Sequence, residues 1–79
     1  MRILLVEDDP KLADLILEGL NEDGFVTAHS ASARQGESMA LLQPYDVMIV
    51  DVMLPEGKNA GFDLARTLRE QKTPHLFFF

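Results

Sequence analysis

The sequence predicts an α/β fold, a parallel sheet with helices on both faces, and three observations predict it. Two short apolar runs, Ile3 to Val6 and Val47 to Val50, lack the alternation of a half-exposed strand, which marks strands buried on both faces. Between them the apolar period changes to that of a helix. Connections are short, so strands and helices alternate as β-α-β-α-β-α-β, an order that implies right-handed crossovers and a parallel sheet.

After the first strand, Leu12, Leu15, Ile16 and Leu20 fall at helical spacing. Asp9 stands as the N-cap, Pro10 at the first helical position and Gly24 just past the end. Phe25 to His29 reads as a second strand. Ser32 to Gln35 has the spacing of a capping box and opens a second helix carrying Met39 and Leu42, with Pro44 just after it. Val47 to Val50 is the third strand. A third helix starts near Gly61 or Phe62, turns Leu64, Ala65 and Leu68 inward and runs to about Glu70. His75 to Phe79 closes the chain as a fourth, apolar strand.

Composition narrows the function classes. With 79 residues there is room for one small domain, 1–79, whose stability is modest for want of a large core. Seven basic against thirteen acidic residues give a net charge of -6, which argues against binding to nucleic acid or to an anionic membrane. The chain has no cysteine, so disulfides and thiolate zinc sites are excluded. Its apolar runs are too short to span a bilayer, and the N-terminus lacks the pattern of a secretory signal. A cytoplasmic location is expected.

The chemistry gathers at the strand ends. Glu7 and Asp8 follow the first buried strand and Asp51 follows the third. In an open parallel sheet, function collects beyond the carboxyl ends of the strands. If these two strands are neighbours, three carboxylates converge, and left alone they repel one another. A hard cation such as Mg²⁺ resolves the conflict, because it favours oxygen ligands. Asp51 would then serve also as a nucleophile toward a phosphoryl group. Taken singly, each acid reads as a helix cap or a turn residue; taken together they favour a metal site. His29 and His75 lack ligand spacing and read as structural, Lys58 as a solvated loop residue, and the three terminal phenylalanines as core.

The stretches "ILLVEDDP", "YDVMIVDVMLP" and "GFDLARTLRE" resemble the receiver domain of two-component response regulators over essentially the whole chain. The resemblance implies a flavodoxin-like sheet of order 2-1-3-4-5, here reduced to about four strands and three helices. It further implies an Mg²⁺ site and a phosphoacceptor that takes its phosphate from a sensor histidine kinase. By position, Asp51 resembles the phosphoacceptor, Asp8 the direct metal ligand and Glu7 the acid acting through water. Met53 would supply a backbone carbonyl to the metal, and Asp9 remains a helix cap.

Three departures from the family pattern stand out. Gly61 lies six residues after Pro55, two later than the family usually places it, and Lys58 sits in that insert. Phe79 occupies the place of a Thr or Ser whose hydroxyl meets the phosphoryl group. The chain stops after its fourth strand, short of the family's lysine and aromatic switch residue. The resemblance therefore implies a module that binds Mg²⁺ and offers Asp51 to phosphate with impaired switching. The alternatives are an interaction module that is never phosphorylated and a fragment without function of its own. An aspartyl-phosphate hydrolase is set aside, since Met53 stands where a second aspartate would be needed, so the chain is not expected to be an enzyme. With the fourth strand as an edge, self-association is expected, most simply as a homodimer.

Overall fold

The computed structural model describes residues 1–57, 59–69 and 75–79. Its elements are β1 (Arg2–Val6), α1 (Pro10–Glu22), β2 (Val26–Ser30), α2 (Ala33–Leu42), β3 (Val47–Val50), α3 (Ala60–Arg69) and β4 (His75–Phe78). The four strands form one parallel sheet, as the alternation predicts, in the order β2-β1-β3-β4 that the resemblance implies.

Local chemistry sets the helix starts. The Asp9 carboxylate accepts from the amides of Lys11 and Leu12, and Pro10 needs no such acceptor, so α1 begins there. The Ser32 hydroxyl accepts from Gln35 N–H at 3.2 Å, while the Gln35 side chain reaches back to the amide of Ala31, one residue before the cap. Helix α3 starts at Ala60, ahead of Gly61 and Phe62, because the Asn59 carbonyl already accepts from Asp63 N–H. Asp63 in its first turn and Arg66 and Arg69 in its last complement the helix dipole. The expected end near Glu70 lies outside the described residues. Strand β2 begins at Val26, one residue later than predicted, since the Phe25 amide is still bound to Leu20 of α1 and pairing begins with Val26 N–H to the Met1 carbonyl.

The two faces of the sheet are covered unequally. Leu4 and Val6 of β1 and Met48 and Val50 of β3 point to the side of α2 and α3, where they pack with Ala33, Tyr45, Leu54, Leu64 and Leu68. Each of these four strand side chains is fully buried, which contributes on the order of 1.5–3 kcal/mol apiece relative to exposure. Helix α2 lies close enough to β1 that a Cβ on Gly36 would meet Val6 Cγ2 at 2.9 Å, so only glycine fits there without a shift.

Among the described residues the opposite face carries α1 alone. Leu5 beneath it is buried, but Val47 and Ile49 are only half-buried, against the expectation of a β3 covered on both sides. The apolar stripe of α1 is correspondingly open: Ala13 is its buried residue, and Leu12 and Leu15 are exposed. Leu42 is exposed as well, because it is the last residue of α2.

Candidate metal centre

Strands β1 and β3 are neighbours in register, Val6 opposite Val50, and the Asp51 amide extends the ladder by donating to the Val6 carbonyl at 2.9 Å. Both strands therefore release their next residues at one rim. Glu7, Asp8 and Asp51 each offer a carboxylate oxygen there, all within 4.8 Å of one another.

The three acids differ in surroundings. Glu7 is 1% exposed. Its Oε1 accepts from Asp9 N–H at 2.9 Å, but Oε2 is buried and has no hydrogen-bond partner among the described residues. Burial, seconded by the negative charges of Asp51 and Asp8, pushes the Glu7 carboxyl up to about 6, with the Asp9 amide opposing. Asp8 is exposed and Asp51 half-buried. Asp51 Oδ1 accepts from Met53 N–H at 2.8 Å, a turn that fixes the carboxylate, while the Met53 side chain stays 73% exposed.

An orphaned, buried carboxylate oxygen is costly unless something positive meets it. Two further carboxylates within ligand distance make that something a cation, and an all-oxygen donor set suits Mg²⁺ or Ca²⁺ rather than a softer metal.

Asp9 is a helix cap, as predicted, and its amide also serves Glu7. Phe79 donates its N–H to the Val50 carbonyl and accepts from Val52 N–H, which sets it beside Asp51 in register. The position next to Asp51 thus carries a phenyl ring and no hydroxyl. His75 begins β4 at the opposite end of the sheet, bonded through its amide to Asp46. Lys58 lies outside the described residues.

Two residues beside the site had no signal in the sequence. His29 Nε2 meets the Glu7 carbonyl at 2.7 Å, a pairing that only the β1–β2 register creates. Glu56, in the loop after β3, accepts from the amides of Ala33 and Arg34 at 3.2 and 3.0 Å, and these bonds hold its carboxyl below the usual range. With Leu54 buried and Gly57 taking φ 117° in the turn, the loop is fastened to the start of α2.

A parallel sheet of order 2-1-3-4 with an acidic rim beyond β1 and β3 defines a class, the receiver domains, and comparison with known proteins agrees. The sequence matches the response regulator receiver domain family over residues 3–78. The chain belongs to that family. It is 42% identical over 69 residues to the probable transcriptional regulatory protein SilR of Salmonella typhimurium, covering 87% of this chain and 29% of that protein. It is also 42% identical over 77 residues to the transcriptional activator protein IrlR of Burkholderia pseudomallei, covering 98% of this chain and 33% of the relative. The non-phosphorylated HemR receiver domain from Leptospira biflexa superposes with a TM-score of 0.84 at 31% identity, covering 98% of this chain and 61% of that one. The chain thus spans about a third of the length of SilR and IrlR.

Proposed function

We propose that this receiver domain binds Mg²⁺ through Glu7, Asp8 and Asp51, with the Met53 carbonyl as a further ligand, and that Asp51 accepts phosphate from a sensor histidine kinase. The observation that carries the reading is the buried Oε2 of Glu7, without a hydrogen-bond partner among the described residues and close to two more carboxylates. When bound, the cation neutralises the phosphoryl oxygens as they approach a negatively charged nucleophile. Asp51, fixed through Oδ1 by the Met53 amide, presents its other oxygen to the phosphorus. The new bond joins that oxygen to phosphorus as the bond to the donor's histidine nitrogen breaks, and the imidazole leaves with the electron pair. The exposed Asp8 would hold the cation directly, and the buried Glu7 would act on it through water.

Phe79 offers no hydroxyl to the incoming phosphoryl group. A preorganised donor of that kind is worth on the order of 3 kcal/mol to a transferring group, so transfer to Asp51 is slow and switching impaired. Incubation with Mg²⁺ and a small acyl phosphate, read by intact mass, should add one phosphoryl group slowly to the wild type and none to Asp51→Asn. Equal labelling of Asp51→Asn would move the acceptor elsewhere, and fast stoichiometric labelling would show that Phe79 is no handicap.

The proposed role is signalling rather than catalysis, with a cytoplasmic location where a kinase partner would be met. No helix among the described residues is long and apolar enough to cross a membrane. The excess of acid assigns these residues no contact with nucleic acid, although the matched relatives carry names of transcriptional regulators.

A second reading, self-association as a homodimer, is favoured by one observation. Among the described residues β4 is hydrogen-bonded on one side only, and it carries Phe77 at 60% exposure, with Phe79 just beyond it at 44%, without an acidic or basic guard other than His75. Such an edge is open to pairing with a second copy.

A further inference from the structure

The geometry points to His29 as a positioning residue for the acidic site, and we infer that its Nε2–H holds the Glu7–Asp8 peptide in the orientation that metal binding requires. The inference rests on the metal reading above and extends it to a residue on a different strand.

Thr27 bonds through its hydroxyl to Asn21 of α1, which identifies the face of β2 that α1 covers. Side chains two apart on a strand share a face, so His29 lies on that same side, above its register neighbour Leu5. From there its ring reaches past the end of β1 to the Glu7 carbonyl at 2.7 Å. A carbonyl only accepts, so Nε2 is the nitrogen that carries the proton.

Glu7 is thereby held at three points. Its N–H donates to the Ser30 carbonyl at 2.9 Å, its carbonyl accepts from His29, and its Oε1 accepts from the Asp9 amide. The Glu7 carbonyl belongs to the peptide bond that carries Asp8. Fixing that carbonyl fixes the plane from which Asp8 departs, and with it the direction of an otherwise exposed ligand. Without the imidazole this peptide has no anchor on its carbonyl side among the described residues, and it can rotate. Groups that orient metal ligands in this way typically alter affinity about tenfold or more when removed.

Gln places its amide nitrogen the same number of bonds from Cβ as His places Nε2, so His29→Gln keeps the donor, whereas His29→Leu keeps bulk and removes it. Mg²⁺ titration followed by backbone amide shifts, on variants whose urea unfolding shows them folded, separates the two. The expected result is about tenfold weaker binding for His29→Leu and a return to within about twofold of wild type for His29→Gln. Unchanged binding in His29→Leu, or equal loss in both variants, would overturn the inference while leaving the metal site in place. A wild type that binds no better than Asp8→Ala would overturn the metal reading, and this inference with it. In the wild type alone, the imidazole ¹⁵N–¹H spectrum at alkaline pH should show the proton on Nε2; a proton on Nδ1 would overturn the inference even if the leucine variant failed to fold.

Discussion

Without divalent cation, the stability of the fold is expected to fall as pH rises from about 4.5 to about 6, the interval between the ordinary Glu7 value and its folded value. Below that interval Glu7 is protonated in both the folded and the unfolded chain. Within it the unfolded chain releases its proton first, so the folded state binds more protons and stability drops with pH. Above about 6 the folded state carries a buried carboxylate beside two others, and the loss is complete. The interval corresponds to up to about 2 kcal/mol, a large share of the stability of so small a chain. Other carboxylates also titrate in this region, and Glu56, whose carboxyl is lowered, acts in the opposite direction, losing its contribution as pH falls. Comparison with Glu7→Gln isolates the effect. The glutamine keeps the oxygen that accepts from the Asp9 amide and removes the charge. Urea unfolding from pH 4.5 to 7 should show a flatter profile for Glu7→Gln and a more stable variant at pH 7; parallel profiles would contradict the account.

The other large effect concerns assembly. Size exclusion coupled to light scattering is expected to show a homodimer of the 79-residue chain, built by antiparallel pairing of two β4 strands. Phe77→Lys, placed on the most exposed ring of that edge, should give a monomer, since an edge lysine blocks strand addition. Phe78 is the poorer probe, because its ring packs on Phe62 with centroids 5.3 Å apart and lies near Gly61. A change there would disturb the protomer itself. A well-folded wild-type monomer, or a dimer untouched by Phe77→Lys, would remove the second reading.

How much of this was legible in the sequence depended on whether the governing interaction is local. Continuous apolar runs located β1 and β3, although only β1 is buried on both faces, whereas β3 alternates between buried Met48 and Val50 and half-buried Val47 and Ile49. Asp9 with Pro10 and Ser32 with Gln35 located two helix starts, because capping is decided within four residues. The acidic rim was legible too, given that β1 and β3 are adjacent. Helix α3 starts one or two residues ahead of Gly61 or Phe62, where the pattern predicts it, because the Asn59 carbonyl, rather than a capping side chain, opens it. Exposure of Leu12 and Leu15 depends on what covers the α1 face, which periodicity alone does not say. The bond from His29 to Glu7 spans 22 residues and the bonds from Glu56 to α2 span 22 and 23, and neither has a sequence signature because strand register and loop path create them.

The central claim is that Glu7, Asp8 and Asp51 form one cation site, and calorimetric titration of Mg²⁺ into the wild type, Asp8→Ala and Asp51→Asn tests it most directly. The account predicts saturable binding of one ion by the wild type and a loss of about tenfold or more in each variant, since each removes a charged oxygen ligand. Affinity unchanged in both variants would contradict it.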